Sequence, residues 1–185
     1  AAVVTGSRCS VYWEEAWIDA LETWVREADD RDLPMLGVCY GHQLLASALG
    51  GTVEGMGEYE IGYREVQHRR GPLFDGIDSP FTVFTTHSDA VVELPEGATV
   101  TAENDYGIHG FRRGNAFGVQ FHPEYDRATA REVTEGKDLD PGREERVLAD
   151  ITEANYRQAC EAKQVFDNFT RYVRERRHER AAAGD

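Results

Sequence analysis

The chain predicts a single three-layer α/β domain spanning residues 1–185 on a mostly parallel sheet. Three observations carry this. A short apolar run at 35–38 passes straight into a run with helical period (Leu44, Leu45, Ala48, Leu49), the order of a strand feeding a helix. A second apolar run at 116–121 repeats the strand pattern far downstream, so the two can lie side by side in one sheet. The composition, 41% hydrophobic and 10% aromatic over 185 residues, is enough for one packed core.

The elements follow in order. Ala2, Val3 and Val4 form a short buried strand, and Thr5-Gly6-Ser7 turns out of it. Trp17, Ile18, Leu21, Trp24, Val25 and Ala28 recur at helical spacing and are expected in the core, with Glu14, Asp19, Glu22 and Glu27 facing water. The acidic stretch 29–32 and Pro34 end that helix and lead into the strand at 35–38. Gly50-Gly51 stops the next helix. From 52 to 121 short strands are expected at 61–66, 81–85, 90–93, 99–102 and 116–121, divided by Gly and Pro punctuation. Arg112-Arg113-Gly114-Asn115 reads as a hairpin turn, and residues 85–89 as a loop between strands. The charged stretch 126–150 reads as helical pieces around a loop at 134–142, either a lid, a partner contact or a solvated connector. Ala162, Val165, Phe166, Phe169, Tyr172 and Val173 share one face of a final helix that docks on the sheet. Five arginines between 171 and 180 then favour a helix C-terminus and a solvated end.

The chemistry gathers at two places. In Gly37-Val38-Cys39-Tyr40-Gly41-His42-Gln43 a strand ends at a cysteine with glycine two residues to either side. This is the layout of a nucleophile elbow with sulfur in place of oxygen. Glycines are needed because such a turn brings backbone against backbone. The helix that starts there points unpaired N–H groups and its positive dipole end at the sulfur. In Gly118-Val119-Gln120-Phe121-His122-Pro123-Glu124 a second strand ends in a histidine, with a carboxylate two residues later. A thiol nucleophile needs a base, and the base needs a partner that fixes its tautomer. Cys39, His122 and Glu124 supply those three roles. The competing readings are a buried, inert Cys39, a base at His87 beside Asp89, and a metal site made of His122, Glu124 and Cys39.

These motifs, with the weaker Thr5-Gly6-Ser7-Arg8-Cys9-Ser10-Val11-Tyr12, resemble the class I, triad-type glutamine amidotransferases. Within them they are most similar to the glutaminase domain of GMP synthase and its stand-alone relatives. The resemblance covers roughly residues 1–125 and returns in the last helix. It implies a flavodoxin-like fold and hydrolysis of glutamine through a γ-glutamyl thioester on Cys39. It also implies an oxyanion hole from the N–H groups of Tyr40 and of Ser7 or Gly6. Gly6-Ser7-Arg8 stands where relatives often carry Gly-Gly-Pro. Thr86, Ser88 and Asp89, largely through backbone groups, and Gln43 are implied to hold the ends of glutamine. No metal or organic cofactor is implied. Ammonia would pass to a separate acceptor, such as an ATP-dependent synthetase. Two alternatives stay open: a γ-glutamyl peptide hydrolase with the same triad, and a catalytically idle regulatory subunit. Relatives carry a further strand and helix at the N-terminus, so either the natural chain is longer or a neighbouring chain covers the exposed sheet edge.

Charge narrows the partners. A net charge of -14 repels nucleic acid and anionic membrane, and is suited to a high-salt, halophilic cytoplasm as well as to an ordinary acidic enzyme. Three cysteines with no zinc-type spacing read as reduced thiols of a cytoplasmic protein. There is no apolar run of membrane-spanning length and no P-loop.

Overall fold

A computed structural model describes residues 1–183; the last two residues of the expected domain lie outside the described residues. The chain runs β1 (Ala2–Val4), α1 (Ala16–Asp30), β2 (Met35–Val38), α2 (Tyr40–Ala48), β3 (Thr52–His68), β4 (Phe81–Glu93), β5 (Thr99–Asn104), β6 (Gly107–Arg113), β7 (Ala116–Val119), α3 (Arg127–Glu135), α4 (Pro141–Asp150), α5 (Glu153–Ala159) and α6 (Gln164–Ala183). One seven-stranded sheet has the order β1-β2-β7-β6-β5-β3-β4. The expected parallel pairing is found where the two motifs sit. There β1, β2 and β7 run in register, with Met35 opposite Ala116 and Val38 opposite Val119. From β7 outward the ladders are antiparallel.

Alternation along β2 explains the layers. Leu36 and Val38 point to one face, where they meet Phe117 and Val119 of β7 and Val165, Phe169 and Tyr172 of α6. Met35 points to the other, into a cluster with Leu44 and Leu45 of α2 and Ile18, Val25 and Ala28 of α1. The α6 face thus docks as the sequence predicts. No helix among the described residues is long and apolar enough to cross a membrane.

Three features differ from the sequence expectation. Trp17 and Trp24 are 44% and 39% exposed, because the face of α1 that meets the core carries Ile18, Val25 and Ala28, with Leu21 packed at its margin. The Trp17 ring lies beside it against Tyr40, at 5.8 Å between centroids. Residues 85–89 are not a loop but the middle of the 13-residue strand β4. Thr85, Thr86, His87 and Asp89 are buried there despite their polarity. β6 was not expected, since His109, Gly110, Arg112 and Arg113 give it no apolar alternation; it forms by pairing with β5 and β7 on its two sides. The Arg113–Ala116 pairing does close the hairpin expected around Gly114, whose φ of +55° suits glycine.

Candidate active site

Cys39 sits between β2 and α2 with φ 53° and ψ -104°, a strained conformation for a residue with a side chain. Its N–H donates to the Val119 carbonyl at 2.8 Å, and its carbonyl accepts from Gln43 N–H at 3.1 Å, so the strain is held from both sides. A Cβ at Gly37 would lie 2.3 Å from the Gly41 carbonyl oxygen, and one at Gly41 2.0 Å from the Val4 carbonyl oxygen. The elbow therefore closes only with glycine at both places. Cys39 ends up 6% exposed, at the wall of a cleft of about 570 Å³.

His122 follows β7, and its N–H donates to the Phe84 carbonyl of β4 at 2.9 Å. Nδ1–H donates to Glu124 Oε1 at 2.7 Å, which leaves Nε2 free, and the ring lines the same cleft as the Cys39 sulfur. Tyr125 stacks on the imidazole, 4.1 Å between centroids and 20° between planes. Gly6 lies under the same ring, where a Cβ would come 3.2 Å from Cε1. Burial alone would lower the His122 pKa; the Cys39 sulfur and the Glu124 carboxylate outweigh it and push it up to about 10. His122 is therefore held as an imidazolium at neutral pH.

The other expected residues converge on a smaller space behind the sulfur, about 60 Å³, or room for two waters. Ser7, Tyr40, Gln43, Thr86, Ser88 and Asp89 line it together with Cys39. Gly6 lines only the larger cleft. Tyr40 is the first residue of α2, so its N–H is one the helix cannot use. Thr86 Oγ1 is buried without a hydrogen-bond partner, and the Thr86 carbonyl lies 3.9 Å from Cys39 Sγ. Asp89 is more committed. Its carboxylate accepts from Ser10 Oγ at 2.5 Å and Tyr12 OH at 2.9 Å, and its carbonyl from Gln43 Nε2 at 2.9 Å. Gln43 Nε2 also reaches Gln120 Oε1 at 3.1 Å.

Geometry separates the two histidines. His87 Nδ1 faces the Asp89 carbonyl at 2.9 Å and Nε2 faces Glu60 Oε2 at 2.6 Å, so neither nitrogen is available to the thiol. His109 Nε2 joins the same Glu60 oxygen at 2.9 Å, and Asn104 donates to Oε1 at 2.7 Å. Glu60, His87 and His109 are the buried group whose donor atoms come within 4.8 Å of one another, a spacing that could hold a cation. Their present contacts form a hydrogen-bond network joining β3, β4 and β6, in which His109 Nδ1 has no partner.

The family model for glutamine amidotransferase class-I matches residues 13–135, two thirds of the chain, including Cys39, His122 and Glu124. The chain belongs to the class-I glutamine amidotransferases. A glutamine-hydrolysing GMP synthase of Thermus thermophilus is 46% identical over 95 residues, covering 50% of this chain and 19% of that protein. One from Staphylococcus aureus is 36% identical over 140 residues, covering 74% of this chain and 25% of that protein. The chain thus spans a quarter or less of these relatives' length. The crystal structure of a glutamine amidotransferase from Thermotoga maritima superposes with a TM-score of 0.74 at 26% identity, over 92% of this chain and 77% of that one.

In this amidotransferase, sequence reasoning missed Arg8, Tyr59, Tyr125, Val133 and Lys137 as cleft residues. Tyr125 had one available signal, its place directly after the His122-Pro123-Glu124 motif. Tyr59 and Lys137 had none, because they meet only when the α3–α4 turn folds over β3.

Proposed function

We propose that residues 1–185 form a thiol amidohydrolase unit that releases ammonia from the side-chain amide of glutamine. The observation that supports it most is the His122 imidazole, hydrogen-bonded to Glu124 at 2.7 Å and lining one cleft with Cys39 of the strained elbow. In this reading the sulfur attacks the amide carbon, and the oxyanion that forms is met by the N–H of Tyr40 and that of Ser7 or Gly6. The His122 imidazolium gives its proton to the departing ammonia, and a γ-glutamyl thioester remains on Cys39. The now neutral His122 takes a proton from water, which attacks the thioester; the C–S bond breaks, glutamate leaves, and the Cys39 sulfur and the His122 imidazolium are restored. Glu124 keeps Nε2 aimed at the reacting atoms. Thr86 and Ser88 are the groups of the small pocket suited to touch substrate. Asp89 acts by anchoring the loop that carries Ser10 and Tyr12, and Gln43 by fixing the Asp89 backbone. None of these steps draws on an organic cofactor or a metal.

The likeness to glutamine-hydrolysing GMP synthases makes an ATP-dependent acceptor enzyme the natural consumer of the ammonia. The three thiols are all free, which suits a reducing cytoplasm. A second reading, γ-glutamyl peptide hydrolysis, is favoured by the size of the outer cleft, which could seat a peptide leaving group. Comparing ammonia release from glutamine with amino-acid release from γ-glutamylalanine separates the two. We expect glutamine to have the higher kcat/KM; a reversed preference makes the peptide reading correct.

A further inference from the structure

Glu60, His87 and His109 come from three strands, β3, β4 and β6, and all three are buried. Glu60 and His87 face each other across the β3–β4 ladder. β6 stands three places from β4 in the sheet order, yet the His109 ring comes to 5.7 Å from that of His87, so the sheet curls around this point. The hydrogen bonds here do not balance with ordinary protonation. A carbonyl only accepts, so His87 Nδ1 carries the proton that goes to the Asp89 carbonyl at 2.9 Å. The other nitrogen of a neutral His87 is then a bare lone pair, and it lies 2.6 Å from Glu60 Oε2. Two acceptors sit that close only with positive charge between them, either an added proton or a metal ion. His109 adds to the imbalance: its Nε2–H donates to the same oxygen at 2.9 Å, and its Nδ1 is buried without a partner among the described residues.

We propose that Glu60, His87 and His109 bind a divalent transition-metal ion, with zinc the best fit, as a clamp that joins β3, β4 and β6. Two nitrogens and one carboxylate oxygen suit zinc, whereas magnesium and calcium take oxygen donors. A tetrahedral zinc about 2.0 to 2.1 Å from each ligand holds its donors roughly 3.3 Å apart. The separations of 2.6 and 2.9 Å, with all three donors within 4.8 Å, bracket that value. The outer contacts match as well. His87 gives its second ring N–H to a backbone carbonyl, and Glu60 Oε1 accepts from Asn104 Nδ2 at 2.7 Å, the kind of contacts that orient ligating histidines and carboxylates. Three protein ligands leave the fourth position to water. On binding, the proton shared by His87 and Glu60 leaves to solvent, and the Nε2 proton of His109 moves to its unpartnered Nδ1, freeing the Nε2 lone pair. One proton is released per ion. The role is structural, since none of the three ligands belongs to the Cys39, His122 and Glu124 group.

The test titrates chelator-stripped protein with Co²⁺ and Zn²⁺ in a Cys39→Ser background, which keeps that thiolate out of the reading. We expect one equivalent of Co²⁺ to give visible d–d bands of a tetrahedral site without the near-ultraviolet thiolate charge-transfer band, Zn²⁺ to displace it, and Mg²⁺ to leave it in place. Calorimetry in buffers of different ionisation enthalpy should report one proton released. His109→Gln keeps a donor for Glu60 but removes a ligand, so affinity should fall by at least about 100-fold, more than the 10- to 100-fold typical of losing an outer contact, which is the loss expected for Asn104→Ala. Zn²⁺ should raise the urea midpoint of the parent and not that of His109→Gln. Absence of stoichiometric binding, a thiolate band, or unchanged affinity in a folded His109→Gln would overturn the proposal. If His109→Gln does not fold, unchanged affinity in Asn104→Ala overturns it in the same way.

Discussion

At position 41 a methyl group would lie 2.0 Å from the Val4 carbonyl oxygen, and the atom it would strike belongs to backbone, which cannot swing aside. Gly41→Ala must therefore push β1 away from α2 or open the elbow. We expect it to cost on the order of 3 kcal/mol, read as a lowered urea midpoint, and to reduce activity further than the lost stability explains. The partner of His122 is tested differently. Glu124→Gln preserves the shape but removes the charge that fixes the tautomer and helps hold the His122 pKa near 10. We expect kcat for ammonia release to fall by about 10² to 10⁴ at neutral pH with the circular dichroism spectrum unchanged. A loss of less than about tenfold would show that His122 does not depend on Glu124.

β4 is the element that gathers the candidate site without supplying Cys39, His122 or Glu124. Its Phe84 carbonyl holds His122, its Thr86 carbonyl faces Cys39, and Asp89 holds the loop after β1 through Ser10 and Tyr12. Asp89→Ala leaves both hydroxyls without that acceptor, and we expect a loss of about 2 kcal/mol in urea unfolding together with faster proteolysis of the loop at residues 5–15. Proteolysis at the wild-type rate would mean that the loop is held by other contacts. The elbow, the α6 face and the turn at Gly114 were legible in the sequence because each is local: a glycine spacing, a 3.6-residue period, a turn residue. β4 was not legible as one strand, because Thr85, Thr86, His87 and Asp89 look solvated in sequence, and the partners that hold the side chains of His87 and Asp89 lie far away in the chain, Glu60 for His87 and Ser10 and Tyr12 for Asp89. β6 was hidden for a similar reason, with His109 buried against Glu60. Cys39, His122 and Glu124 could be singled out from their motifs, whereas the wall of Arg8, Tyr59 and Lys137 exists only through tertiary contact.

Across the whole molecule, the buried titratable groups set how stability depends on pH. His42 is buried with both ring nitrogens unpartnered, and burial, aided by His109 and His87, pushes its pKa down to about 3. The unfolded chain takes up that proton near pH 6.5, so the folded state loses stability as pH falls from there towards 3. Burial opposes the ionised form of Glu60, but hydrogen bonds and charge from His109 and His87 prevail and depress its pKa. Its contribution is thus present above the ordinary carboxylate range and lost below it, steepening the same acid limb. His122 has the opposite sign: its contribution is full below pH 6.5 and is lost as pH rises through about 10. Stability should therefore peak near pH 6.5 and decline by a few kcal/mol on either side. Urea midpoints measured from pH 3.5 to 9.5 check this, and His42→Phe should flatten the acid limb between pH 6.5 and 4.5. A stability profile that stays level down to pH 4 would contradict the account of the buried cluster.

The central claim, that Cys39 carries the acyl group of glutamine, is tested most directly by mixing the protein with glutamine, quenching in acid and measuring the mass of the peptide that contains Cys39. The account predicts a glutamyl thioester on that peptide, absent in Cys39→Ser and accumulating when His122→Ala slows its hydrolysis. Ammonia release that persists in Cys39→Ser, with no glutamyl adduct on the wild-type peptide, would contradict it.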